Sequence, residues 1–217
     1  MERPPPGHVC FRAEAPELVR WRAHFEASAI AIEADFEWPG GGRSIYVRDP
    51  AGNSVEFAEP RIEPEVVFHF ASAPTAEMSE REVLDCVDQI AHGFEIVQSH
   101  YPDWKFSAPD TVANNALHGA FFLGEKVSVM SDRAAWLPAL ADFEISLFRN
   151  GTLVDKGHAR NVLDGPLFAI RHLLDLLKDD PHNTPVAAGE IITTGTVTKA
   201  WVVTPGETWH TQMHGMN

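Results

Sequence analysis

Cysteine is nearly absent from this chain of 217 residues: Cys10 and Cys86 are the only two. One pair cannot make a disulfide framework, and both are expected to remain thiols in a reducing cytoplasm. Basic runs are missing as well, and 17 Lys and Arg residues stand against 31 Asp and Glu for a formal net charge of -14. That balance argues against nucleic acid and against an anionic membrane surface as partners, which leaves small molecules and metal cations. No apolar run approaches the roughly 18 residues of a membrane-spanning helix, and "MERPPPGHVC" lacks the hydrophobic core of a signal peptide. Repeats of solenoid period and low-complexity segments do not occur either. The 44% of apolar residues suffices for one large packed domain or two small ones.

The first sixty residues alternate in a way that predicts βαβββ. "HVCFRA" reads as a strand and "PELVRWRAHFEAS" as a helix with Pro16 in its first turn and Leu18, Trp21 and Phe25 on one face. Then "AIAIEADF" and "RSIYVR" read as strands, "DPAGN" as a turn and "SVEFA" as a last strand. So small a sheet needs something to cover it, either the second region or a second chain, and a homo-oligomer is expected. A second region begins near "EPRIEPE". In it "EVVFHF" reads as a strand, and "SEREVLDCVDQIAH" as a helix capped by Ser79 and Glu82 and stopped by Gly93. "FEIVQ" reads as a short buried strand, and "FEISLFRNGTLVDKG" as a hairpin turning at Asn150-Gly151. "GPLFAIRHLLDLL" reads as a helix, and the tail as two strands, a Pro-Gly turn and a final strand.

Three carboxylates carry the chemistry of this pattern. Glu63 and Glu65 are two apart at the start of a strand, so they share a face at roughly 6 to 7 Å. Glu95 lies inside the otherwise apolar "FEIVQ", where an unpaired charge costs several kcal/mol or more (about 3 to 5). Three carboxylates without a nearby cysteine describe an oxygen-rich site for Mg²⁺ or Mn²⁺. On spacing alone, the favoured alternative is Glu63 and Glu65 at an exposed strand end and Glu95 paired with Lys105 or an arginine.

Residues 61–213 resemble the C-terminal part of the fumarylacetoacetate hydrolase superfamily, most closely its 2-keto-4-pentenoate hydratases and the related 2-oxo-acid decarboxylases. The resemblance rests on "RIEPEVVF", "FEIVQSHYPDWKF", "DTVANNALHGAFFLG", "NGTLVDKGHARNVLDGPLFAIRHL" and "AAGEIITTGTVTKAWVVTPGETW", in the family's order. It implies that Glu63, Glu65 and Glu95 bind Mg²⁺ or Mn²⁺, and that a small 2-oxo acid chelates the cation through its carboxylate and 2-oxo oxygen. Thr194 and Gly195, in "IITTGT", would then lie close to that substrate, because a glycine lets backbone approach a ligand. A plain turn at that point is the alternative. Lys105, in "DWKF", could carry a proton, pair with a charge or simply be solvated.

Residues 7–60 resemble one βαβββ module of the vicinal oxygen chelate superfamily, the glyoxalase and bleomycin-resistance group, with "RSIYVRDPAGNSVEF" as its most recognisable segment. That resemblance implies a second candidate metal site at His8 and Glu56. The expected fold is therefore α+β: residues 1–60 as a half-domain of this kind, then residues 61–217 as a mixed β-roll of the fumarylacetoacetate hydrolase type.

Neither family is represented whole. A vicinal oxygen chelate domain pairs two modules, and the hydratases carry a further region and a catalytic lysine ahead of the Glu-x-Glu strand. The chain stops at "MHGMN", where the hydratases would add a strand, and Asn114 stands where they have an acidic residue. A fusion or truncation near "AEPRIEPE" is the expectation. The leading reading is a cytoplasmic, divalent-metal-dependent lyase acting on a small 2-oxo acid in aromatic catabolism, with turnover impaired by truncation while metal binding is kept. A glyoxalase-like lyase or ring-cleaving dioxygenase, active as an oligomer, and a non-catalytic 2-oxo-acid-binding fusion are the alternatives.

Overall fold

The computed structural model describes residues 8–37, 42–50, 52–99, 101 and 104–216, the side chains of His8 and Val9 excepted. Its first elements are β1 (His8–Arg12), α1 (Ala15–Ala27), β2 (Ile32–Glu37), β3 (Arg43–Arg48) and β4 (Ser54–Ala58). The sheet order is β1-β4-β3-β2, with β1 parallel to β4 and the other pairs antiparallel. Helix α1 starts where the sequence places it: Pro16 lies in its first turn, and Glu17 accepts from the Glu14 backbone N–H at 3.0 Å. Leu18 and Phe25, on its inner face, pack with Ala13, Ile45, Val47 and Phe57 into a small core. The turn after β3 is closed by Asp49, whose carboxylate accepts from the Asn53 N–H at 2.8 Å.

The chain continues through β5 (Arg61–Phe70), α2 (Glu80–Asp85), β6 (Val87–Val97) and α3 (Ala108–Ala113). A 3-10 turn at Asn115–Leu117 leads into β7 (His118–Ser128), followed by α4 (Arg133–Asp142), β8 (Glu144–Arg149) and β9 (Thr152–His158). Then come α5 (Pro166–Lys178), β10 (Ile191–Thr196), β11 (Trp201–Val202) and β12 (Trp209–His214). One sheet has the order β10-β5-β6-β7, with β11 also paired to β5; a second has the order β12-β8-β9. The β8–β9 hairpin turns at Asn150 and Gly151, both at positive φ (51° and 78°), as a two-residue turn that matches strand twist requires. Helix α5 buries Leu167, Ile170 and Leu174 in a core with Phe68, Phe70, Phe143 and Ile145.

Two expectations need correction. The helix expected from Ser79 to Gly93 is only α2: Ser79 and Glu82 do cap it, but Cys86 ends it and the chain enters β6. The spacing of Val83, Leu84, Val87 and Ile90 suits a helix. From Val87 onward, however, the backbone groups pair with neighbouring strands, a choice that local periodicity cannot see. Gly93 accordingly does not stop a helix. A Cβ there would stand 2.3 Å from Cζ of Phe121, so glycine admits a ring against the strand. Elements α3, β7 and α4, the last with Pro138 inside it, have no counterpart among the expected elements.

By its internal contacts the chain divides into two compact units, one of Met1–Ile62, Glu95–Ala120 and Ala200–Glu207, the other of Glu63–Phe94, Phe121–Lys199 and Thr208–Asn217. No helix among the described residues is long and apolar enough to cross a membrane.

Candidate metal centre

Glu63 and Glu65 project from one face of β5, and Glu95 from β6, its neighbour in the sheet. Each offers a carboxylate oxygen, and the three oxygens lie within 4.8 Å of one another, the one such group of three or more among the described residues. Glu65 is 1% exposed, while Glu63 and Glu95 are half-buried. At about 4 Å two like charges repel by ~4 kcal/mol even at an effective dielectric of 20. The three side chains together could hold a cation.

The local backbone explains how a carboxylate is held in so buried a place. The β10–β5 ladder pairs Thr193 with Val67 and Thr196 with Glu65, so Thr194 and Gly195 bulge opposite a single residue. Gly195 sits at φ 94°, a conformation open to glycine and strained for other residues. The bulge turns its N–H toward Glu65, whose Oε2 accepts at 3.2 Å. Thr194 Oγ1 donates to the Val66 carbonyl at 3.2 Å, and the Val197 N–H donates to the Pro64 carbonyl at 2.9 Å. Thr194 and Gly195, expected from the sequence beside a substrate, are thus seen to brace the strand that carries Glu65.

One feature of the site has no counterpart in the sequence reading. His118, the first residue of β7, places Nδ1 2.6 Å from Oε1 of Glu95. Only its position at the head of a strand 23 residues after Glu95 could have drawn notice. Asn114, which stands where the hydratases have an acidic residue, ends α3 outside the carboxylate group, its side-chain nitrogen buried without a hydrogen-bond partner among the described residues. Lys105 is exposed and stands outside the carboxylate group.

The second candidate pair reads differently. Glu56 on β4 is 1% exposed and opposite Cys10 of β1 in the ladder, whereas His8 is opposite Ser54 and its side chain lies outside the described residues. Burial, and then the Glu56 carboxylate, push the Cys10 thiol well above its ordinary pKa. The Gln98 amide donates to Cys10 Sγ at 3.4 Å.

With three carboxylates gathered on a sheet strand pair in an α+β protein, comparison with known proteins identifies the class. Residues 23–216 match the family described as fumarylacetoacetate (FAA) hydrolase, C-terminal. The chain belongs to that family. It is 30% identical over 159 residues to a 2-keto-4-pentenoate hydratase of Paraburkholderia xenovorans (strain LB400), covering 73% of this chain and 56% of that protein. It is 27% identical over 176 residues to a 4-oxalocrotonate decarboxylase of Pseudomonas sp, covering 80% of this chain and 64% of that one. The chain thus spans about three fifths of the length of these curated relatives. Among solved structures, 4-oxalocrotonate decarboxylase from Pseudomonas putida G7, complexed with magnesium and adipate, superposes with a TM-score of 0.63 at 22% identity, covering 91% of this chain and 81% of that one. A yeast fumarylacetoacetate hydrolase family protein gives 0.53 at 17% identity, covering 71% and 62%. These two likenesses establish the fold.

Proposed function

We propose that the chain is a divalent-metal-dependent lyase of the 2-keto-4-pentenoate hydratase type, acting on a small 2-oxo acid of aromatic catabolism in the cytoplasm. The observation that carries this reading is the convergence of Glu63, Glu65 and Glu95 in a member of this family. The donor set fits Mg²⁺ or Mn²⁺, both hard cations that take oxygen ligands, and the proposed ligands are these three residues. A cation held there would supply Lewis-acid polarisation of the 2-oxo carbonyl. The chain's own residues do the rest: Glu65 is fixed by the Gly195 N–H, and Thr194 ties β10 to β5. Thr194 and Gly195 are proposed to lie beside the substrate. Lys105, exposed in the segment before α3, is the proposed proton carrier.

The proposed domain plan is a glyoxalase-like half-domain over 1–60 followed by a hydratase-like domain over 61–217, joined in a chain that works as a homo-oligomer. One observation favours a second reading. The order βαβββ is the one expected of a vicinal oxygen chelate module. In that reading His8 and Glu56 bind Ni²⁺, Zn²⁺ or Fe²⁺ and the chain is a glyoxalase-like lyase or ring-cleaving dioxygenase, active only when two modules join.

Calorimetry with Mn²⁺ and oxalate, a stable 2-oxo-acid mimic, tests the leading reading beside an absorbance assay of 2-hydroxypenta-2,4-dienoate consumption. Metal-dependent oxalate binding lost in Glu65→Gln, together with dienoate turnover, is the expected result. Binding without turnover would favour a 2-oxo-acid-binding protein. Metal binding that survives Glu65→Gln and disappears in Glu56→Gln would favour the second reading.

A further inference from the structure

Glu65 and Glu95 are held by donors of different kinds. Glu65 accepts from a backbone N–H, that of Gly195, at 3.2 Å. Glu95 instead meets a side chain, His118 Nδ1 at 2.6 Å from its Oε1. An ionised carboxylate can only accept, so Nδ1 carries the hydrogen and donates it. His118 is not itself a member of the group whose ligand atoms lie within 4.8 Å of one another. The imidazole therefore stands behind one ligand, on the strand next to the one that bears it. Its side chain is 40% exposed against 15% for Glu95, so the core does not need it for packing.

We propose that His118 is a positioning residue of the metal centre: by donating from Nδ1 to Oε1, it sets the orientation in which the Glu95 carboxylate meets a divalent cation. This rests on the metal-lyase reading above. A carboxylate on a flexible side chain must otherwise give up rotational freedom when the cation arrives, and a fixed donor removes that cost beforehand. The opposite role is also physically available. A histidine acting only as a counter-charge to Glu95 would compete with the cation, and its removal would tighten metal binding. The two roles differ in sign.

Mn²⁺ titration by calorimetry at pH 8, on wild type, His118→Ala and His118→Asn, separates them, with circular dichroism and melting curves to show that each variant is folded. The expected result is that His118→Ala raises the Mn²⁺ dissociation constant roughly 10–100-fold, the usual cost of losing a partner behind a metal ligand. In His118→Asn the amide N–H occupies the place of Nδ1–H and recovers most of the loss. In a Glu95→Gln background, His118→Ala adds no further loss. Unchanged or tighter binding in folded His118→Ala overturns the role of His118 and leaves the metal site standing. Absence of Mn²⁺ binding in the wild type overturns the metal-lyase reading itself, and His118 with it.

Discussion

At the scale of single residues, the site depends on one backbone conformation as much as on its carboxylates. Gly195 is at φ 94°, and a Cβ there would meet nothing within 4 Å, so the penalty of a side chain at this position is conformational and not steric crowding. Gly195→Ala is expected to lose ~1–2 kcal/mol in urea unfolding, the usual cost of left-handed backbone in an L-residue. The same substitution is expected to weaken Mn²⁺ binding, because relaxation of the bulge withdraws the N–H that holds Glu65. Loss of stability with full metal affinity would show that Glu65 needs no such anchor. The placing of Glu63 and Glu65 on one face of β5 was legible in the sequence, while the bulge and positive φ at Gly195, read there only as a substrate neighbour or a plain turn, were not. The partner of Glu95 was not, since a lone histidine 23 positions away becomes a neighbour only through strand pairing.

At the scale of elements, β6 shows what periodicity conceals. Its central residue His92 is on a strand flanked by two others, with Thr211 Oγ1 3.3 Å from Nε2 and the Phe94 ring edge-on at 4.8 Å. Burial lowers its pKa from the ordinary 6.5 to about 4. Above pH 6.5 both folded and unfolded states hold a neutral ring and the group is silent. As pH falls from about 6.5 to about 4, the unfolded chain gains a proton that the folded chain refuses, so stability declines across that window. The decline attributable to His92 amounts to ~3 kcal/mol, at 1.36 kcal/mol per pKa unit. Urea denaturation of wild type and His92→Gln at pH 7 and pH 4.5 measures it, and the variant is expected to show a shallower fall. An identical pH dependence in both would mean that the ring protonates freely. Hairpin β8–β9 and helices α1 and α5 were legible because their signals are local: a turn dipeptide, an N-terminal proline, an apolar stripe. Elements α3, β7 and α4 were not read from the sequence.

For the molecule as a whole, the carboxylate group gives a prediction that needs no substrate. A cation that binds the folded state alone stabilises it by RT ln(1 + [L]/Kd), about 2.7 kcal/mol at a hundredfold excess over Kd. Millimolar Mg²⁺ or Mn²⁺ is therefore expected to raise the melting temperature of the wild type, and to leave that of Glu65→Gln unchanged. Equal shifts in both proteins would place the cation elsewhere. The net charge of -14 makes nonspecific cation binding a real background, which the variant subtracts.

The sequence by itself determined whatever depends on neighbours along the chain. The βαβββ order, the Asn150-Gly151 hairpin, the cap at Ser79 and the placing of Glu63 and Glu65 on one face all follow from turn chemistry, capping and the two-residue period of a strand. Tertiary structure decided what depends on pairing between distant segments. It made Val87–Val97 a strand, brought Glu95 to the other two carboxylates, opened the bulge at Thr194 and Gly195, and set His118 behind Glu95. The physical reason is that backbone N–H and C=O groups take whichever partners the fold supplies, and a residue's own neighbours carry no record of that choice.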